Sequence, residues 1–356
     1  MSALFDTPQM TVERVALDDP AQVAVIDAWI MARADSTPFH RPAWISAIEK
    51  ATGQRAIMLV VRDSAGAIAG ALPLTAMRSL LFGKALVSSG FAVDGGILAD
   101  DATVAKALAD AAWGIAREQG CASAELRGGD APEGWTVKAD AYLGFSGPIL
   151  ADDEAQLLAI PRKHRAEVRK GLDNGLTFET GSGRRLRAIH YKLYCDSVHR
   201  LGTPVFPRAL FEAVLDAFGE DADIALVTKD GRPMSSVVSL YHGGAVMPYW
   251  QGSVVDARNA RSNEYLYFRL MTHARQRGLS TFDFGRSKVG TGTAAYKKNW
   301  GFESVPLGYA MRAAEGQAPR DVNPLSPQYR RKVEMWKKLP LPVANLIGPW
   351  LARGLG

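Results

Sequence analysis

Cysteine is nearly absent. Cys121 and Cys195 are the only two in 356 residues, they lie in different halves, and neither has a CxxC partner or a Cys/His cluster nearby. That excludes a disulfide framework and a structural zinc site, and it fits a reducing compartment. No stretch approaches the roughly 20 consecutive apolar residues of a membrane span. Met1 to Pro20 carry Asp6, Glu13, Asp18 and Asp19 without an apolar run, so this segment does not read as a signal peptide. The expected location is the cytoplasm, with the inner face of the membrane as a further station. Neither a Ser-His-Asp arrangement nor an activated cysteine emerges, so nothing in the sequence points to a covalent nucleophile. What remains is ordinary globular composition, 47% apolar and 22% charged, with a net charge of +5 that mildly favours anionic partners.

At 356 residues the chain is longer than one core usually serves, and it repeats itself. Ala116 to Gly120 closes a helix before the strand-like Ala122 to Leu126. Ala274 to Gly278 does the same before Ser280 to Phe284. Gly120 and Gly278 are 158 positions apart, as are Glu125 and Asp283. Upstream, Leu59 to Asp63, Gly66 and Ile68 to Leu74 read as strand, turn, strand. So do Ala225 to Thr228, Asp230-Gly231 and Ser235 to Leu240, where Asp-Gly between apolar runs signals a hairpin. The expected fold class is α/β (α+β), with two similar domains, each a mixed central sheet flanked by helices. Their expected limits are 1–150 and 151–312, followed by a Pro-rich basic tail at 313–356. The tail carries Arg330, Arg331, Lys332, Lys337 and Lys338 beside Trp336 and Trp350. It reads either as a peripheral membrane or polymer contact or as a segment packing back across the domains.

Several segments resemble a known family. Phe39, Pro42 and Trp44 match the F-x-x-P-x-W opening of FemAB-type proteins, and Gly66 to Leu74 and Phe91 to Gly96 continue the likeness. The second half adds Tyr249-Trp250-Gln251-Gly252, Asn263 to Tyr267, Phe282 to Ser287, and Tyr296 to Phe302. The chain is most similar to the FemAB-like proteins of exosortase (PEP-CTERM) and exopolysaccharide loci. Those resemble the peptidoglycan-bridge aminoacyltransferases and the BioF2-like acetyltransferase group. The resemblance implies tandem GNAT-like domains and transfer of an acyl or aminoacyl group to an amine or hydroxyl of a cell-envelope saccharide precursor. It implies no tightly bound cofactor, with acyl-CoA or aminoacyl-tRNA as co-substrate.

By the same resemblance, Tyr296-Lys297-x-x-Trp300-Gly301 corresponds to the aromatic-Lys-x-x-aromatic-Gly stretch of Fem-type transferases. This assigns Lys297 to stabilising charge in the tetrahedral transition state. Asp283, at the end of an expected central strand, is a candidate proton acceptor, and Arg286 and Ser287 follow it as substrate contacts. Tyr249 and Asn263 belong to the matching blocks and join the substrate-binding set. Asp94, in an Asp-Gly-Gly turn, is a second base candidate beside its ordinary turn role. Arg162, Arg165 and Arg169 recur at i, i+3 and i+7, placing three guanidinium groups on one helix face. They suit an anionic nucleotide- or lipid-linked saccharide precursor or a tRNA backbone, and they also read as a solvated face on which Glu167 pairs with Lys163. His199 precedes a rigid Leu201 to Pro207 loop and is a candidate for acid–base work or for structure. One expected feature is missing. GNAT acetyltransferases cradle the coenzyme A pyrophosphate on a Q/R-x-x-G-x-G/A loop, but Val254 to Ser262 contains no glycine. Arg258 and Arg261 stand there instead. Two other readings stay open: an aminoacyl-tRNA-dependent bridge transferase, and a non-catalytic binder of nucleotide or polysaccharide.

Overall fold

The computed structural model describes residues 11–79, 82–317 and 327–356. Arg330 and Arg331 fall on residues whose side chains lie outside that description, as does Pro324. The first half runs β1 (Val12–Val15), α1 (Pro20–Met31), α2 (Pro42–Thr52), β2 (Arg55–Arg62), β3 (Ile68–Ser79), β4 (Gly83–Ser88), β5 (Leu98–Ala99), α3 (Ala102–Glu118), β6 (Ser123–Arg127), β7 (Thr136–Lys138) and β8 (Tyr142–Pro148). The second runs α4 (Asp153–Ala159), α5 (Arg162–Leu172), β9 (Leu176–Gly181), α6 (Arg184–Leu201), α7 (Arg208–Phe218), β10 (Ala222–Lys229), β11 (Arg232–His242), β12 (Ala245–Ser253), α8 (Ser262–Gln276), β13 (Thr281–Lys288), α9 (Gly292–Lys298), β14 (Ser304–Pro306) and β15 (Tyr309–Ala313). The tail forms α10 (Pro327–Lys337) and α11 (Leu341–Ala352).

The repeat is one of topology as well as sequence. One sheet is ordered β1-β2-β3-β4-β6-β15-β7, with β5 beside β3, and the other β9-β10-β11-β12-β13-β8-β14. The hairpins β2–β3 and β10–β11 form where the turn residues predicted them, with Asp230 and Gly231 both at positive φ (50° and 74°). Gly120 and Gly278 close α3 and α8 in the left-handed conformation that lacks a Cβ penalty. Each central pair, β4–β6 and β12–β13, is parallel, and the intervening helix makes the crossover.

The sheets do not divide where the chain segments do. β8, from the first segment, inserts between β13 and β14, while β15, from the end of the second, inserts between β6 and β7. The two halves exchange their last strands, so the junctions at 150 and 312 separate stretches of sequence and not sheets. One apolar cluster also spans both halves. Phe39 and Trp44 from the first pack with Phe211 and Trp250 from the second, the Trp44 and Trp250 rings stacking at 5.8 Å. Folding of either half therefore depends on the other. Asp152 to Leu172 is two helices, because Pro161 lacks an N–H and serves as the residue capping α5.

Close backbone contact locks β12 onto α6. A Cβ on Gly252 would lie 2.4 Å from the Tyr194 nitrogen and 2.5 Å from the Leu193 carbonyl carbon, with no flexible side chain to yield. Gly252→Ala should therefore destabilise the protein by about 3 kcal/mol. Thermal denaturation would show a clear fall in Tm, and an unchanged Tm would contradict this packing.

Candidate functional site

β12 and β13 pair over only two registers, Ala245–Thr281 and Val246–Phe282, and then part. Each strand is bulged just beyond the fork. In β12 the register steps between Trp250 and Pro248, leaving Tyr249 unpaired, and in β13 it steps past Phe284. A bulge re-aims side chains and ends regular pairing. Tyr249 reaches the other domain, donating its hydroxyl to the Phe91 carbonyl at 2.6 Å. Asp283 is the first residue beyond the last parallel pair. Its Oδ1 accepts the Gly285 N–H at 2.7 Å, a local turn that Gly285 permits with φ of 62°.

The fork faces the first domain, and a second carboxylate meets it there. Asp94 Oδ1 accepts the Gly95 N–H at 2.6 Å and lies against Gly128, where a Cβ would come within 2.3 Å of it. Burial raises the proton affinity of both acids. For Asp94 this works against the N–H groups of Gly95 and Gly96. Asp283 is pushed up to about 6, by burial first and by the Asp94 charge as well, against the Gly285 N–H and Lys297. Two carboxylates from different domains are therefore within electrostatic reach of one another, and Asp283 is raised to about 6.

Lys297 sits on α9, below the β13 bulge. Its ammonium donates to the carbonyls of Phe284 at 2.5 Å and Arg286 at 2.9 Å, with a longer contact to Gly285 at 3.4 Å. The three N–H groups thus strap the bulge that presents Asp283 and Arg286. Burial lowers the Lys297 pKa to about 8, with Asp283 opposing the shift and Arg286 adding to it. Arg286 stacks over the Tyr142 ring at 4.4 Å and donates to the Tyr309 hydroxyl at 2.7 Å. The Tyr309 hydroxyl in turn donates to the Val93 carbonyl at 2.7 Å, one residue before Asp94. Ser287 follows, buried in β13 opposite Leu143.

Beside this network lies a cavity of about 480 Å³, lined among others by Arg127, Lys138, Tyr142, Arg286, Lys288 and Tyr309. Arg127 is fixed by Glu125 at 2.7 Å and by the Ala92 carbonyl at 2.8 Å. Arg127, Tyr142 and Tyr309 escaped the sequence reading. Tyr142 and Tyr309 stand on the exchanged strands, whose destination no local pattern reveals. The Glu125–Asp283 repeat pointed to the neighbourhood of Arg127 without naming it.

Other candidates lie elsewhere. Asn263 accepts from Gln251 Nε2 at 3.0 Å in the first turn of α8. Arg162 and Arg169 are exposed, Arg165 is half-buried, and none of the three is among the residues lining the 480 Å³ cavity. On the same helix Glu167 pairs with Lys170 and Arg261 instead of Lys163. His199 Nε2 contacts the Leu339 carbonyl at 3.0 Å, which ties it to the tail.

GNAT domains use acyl-CoA as co-substrate, and the start of α8 is where the pyrophosphate cradle belongs. The residues here do not fit it. Arg261, the capping residue, is bonded to Glu167 and to the Arg258 carbonyl. Glu264 stands in the first turn of α8, where burial raises its proton affinity and its carboxylate competes with an incoming anion. α5 covers the same turn, with Gly171 so placed that a Cβ would lie 3.0 Å from the Arg261 carbonyl and 3.3 Å from Tyr265 Cβ. Two carboxylates and a packed helix occupy the position of the cradle.

Residues 161–298 match the family model described as an acetyltransferase (GNAT) domain. No curated protein matches the chain. Among solved structures it is similar to FemX, at 17% identity and a TM-score of 0.69 over 86% of this chain and 98% of that one. It is similar to the C-terminal domain of a putative lysylphosphatidylglycerol synthetase from Agrobacterium fabrum, at 15% identity and TM-score 0.56 over 83% and 93%. A tandem GNAT protein from the clavulanic acid biosynthesis pathway shares 13% identity and a TM-score of 0.55 over 88% and 100%. The fold is thus the tandem GNAT arrangement. Residues 161–298 carry the GNAT acetyltransferase domain, and that match supports an acyltransferase.

Proposed function

We propose that the cleft between the domains moves an acyl or aminoacyl group onto an amine or hydroxyl of an anionic saccharide precursor, nucleotide- or lipid-linked, for an exopolysaccharide or another envelope glycan. The observation that carries this is Asp283, a half-buried carboxylate of pKa about 6 at the open end of β12–β13, facing the other domain. Above that pH it takes the proton from the acceptor as the nitrogen or oxygen attacks the donor carbonyl carbon. It returns the proton to the leaving group as the old acyl bond breaks. Arg286 and Arg127 supply fixed positive charge for a phosphate or carboxylate of the acceptor, and the Tyr142 and Tyr309 rings border the same cavity. The FemAB-like motifs support the envelope saccharide.

The occupied start of α8 favours one variant, in which the donor is an aminoacyl-tRNA. Calorimetric titration separates these readings. A uridine diphosphate sugar should bind the purified protein and bind at least about tenfold more weakly to Arg286→Ala, the loss of one charge-assisted contact. Coenzyme A and charged tRNA are titrated alongside. Saturable coenzyme A binding would overturn the reading of α8, and affinity for charged tRNA would support it. Sugar binding without transfer from either donor would leave a binding protein and sink the enzyme assignment.

A further inference from the structure

α11 is built the wrong way round for a helix facing water. Its small residues point inward. Ala344 and Ala352 are buried, and a Cβ on Gly348 would lie 2.9 Å from Val205 Cγ1 and 3.0 Å from the Val205 nitrogen. Its large apolar residues point outward, with Leu346 80% exposed, Trp350 57%, Val343 43% and Ile347 38%. Met335, on α10, adds a further 70%-exposed side chain. Soluble surfaces scatter such residues singly, whereas a cluster marks a surface that something covers.

The tail is held with this face outward. The His199 contact to the Leu339 carbonyl fixes the joint between α10 and α11. Gln54 Nε2 donates to the Arg353 carbonyl at 2.8 Å beyond α11. The tail therefore packs across both domains and still presents its apolar side. The tail that carries this face is basic. From Lys332 onward Lys332, Lys337, Lys338 and Arg353 stand against the single acid Glu334, a net charge of +3. Arg78 joins Arg353 in lining the depression beside Trp350. α11 itself has no ionised side chain, and no helix among the described residues is long and apolar enough to cross a membrane.

We propose that α11, with the basic end of α10, docks this protein on an anionic lipid bilayer, lying in the plane of the interface with Val343, Leu346, Ile347 and Trp350 inserted. The charge selects this occupant. A second copy would bring the same +3 against itself, whereas a bilayer of acidic phospholipids offers both an apolar interior and the opposite charge. Lys337 and Lys338 would lie at headgroup level, and Trp350 has the amphipathic ring suited to that depth.

Full-length protein is sedimented with phosphatidylcholine vesicles, with and without phosphatidylglycerol. It should pellet with the anionic vesicles, about tenfold more weakly with the neutral ones, and less as salt rises. The double variant Leu346→Ser/Trp350→Ser should lose binding by at least about tenfold. Its Tm should not change, because neither side chain is buried. Lys338→Glu keeps the apolar face and should weaken the preference for anionic lipid, and an unchanged preference would overturn the electrostatic part of the proposal. Failure of the wild type to bind anionic vesicles, or wild-type binding by the Ser variant, would overturn the proposal. A dimer in sedimentation velocity that Leu346→Ser/Trp350→Ser dissociates would also overturn it and assign the face to self-association.

Discussion

Asp283→Asn should lower kcat by at least about 100-fold and at the same time make the protein more stable at pH 7.5. The first effect follows from removing a general base whose pKa sits near the working pH. The second follows from the direction of its shift. The folded carboxyl keeps its proton up to about pH 6, whereas an unfolded aspartate releases it near 3.9. Between those values the folded state binds more protons, so stability falls as pH rises through the window, and the full cost applies above it. Asparagine carries no charge to desolvate, and its Oδ1 can still accept the Gly285 N–H. Discounting for partial exposure and for the lost attraction to Lys297, the gain is about 1 kcal/mol. Denaturant melts at pH 4 and pH 7.5 measure it. The variant should differ little from wild type at pH 4 and exceed it at pH 7.5. A loss of stability at pH 7.5 would show that Asp283 is present to order its turn and not to react.

The sequence disclosed the fold further than it disclosed the site, for a physical reason. Hairpins, helix ends and the 158-residue repeat are local, because Asp230-Gly231 or Gly278 must adopt positive φ whatever surrounds them. The strand exchange is not local. Nothing in Tyr142 to Pro148 or Tyr309 to Ala313 says which sheet will receive it, yet that choice sets Tyr142 and Tyr309 around Arg286. The residue types at Asp283, Arg286, Lys297 and Asp94 were legible from motif position and turn chemistry, and the structure gathers those four. Their division of labour was not. The basic stripe of Arg162, Arg165 and Arg169 had the periodicity of a binding face. Helical spacing cannot tell a face turned to solvent from one turned to a ligand.

Lys297→Met carries the other large effect and decides how Lys297 acts. Because its ammonium is bonded to the Phe284 and Arg286 carbonyls, removing it leaves the bulge unstrapped as well as removing a charge. Turnover should fall by about 100-fold or more, and stability by about 2 kcal/mol, as buried carbonyls lose their partners. The pH profile is the sharper test. In the wild type kcat/KM should rise through about pH 6 as Asp283 ionises and fall above about pH 8 as Lys297 loses its proton. The Lys297 charge lowers the Asp283 pKa, so without it the acid limb of the residual activity must move to higher pH. The alkaline limb should disappear. Lys297→Arg separates two roles. If Lys297 positions the bulge, a guanidinium keeping the charge but fitting the carbonyls poorly should leave the acid limb in place, raise KM and retain part of kcat. If Lys297 instead bonds the tetrahedral oxyanion directly, KM should hold and kcat alone collapse. The bonds already made by its three N–H groups favour the first result.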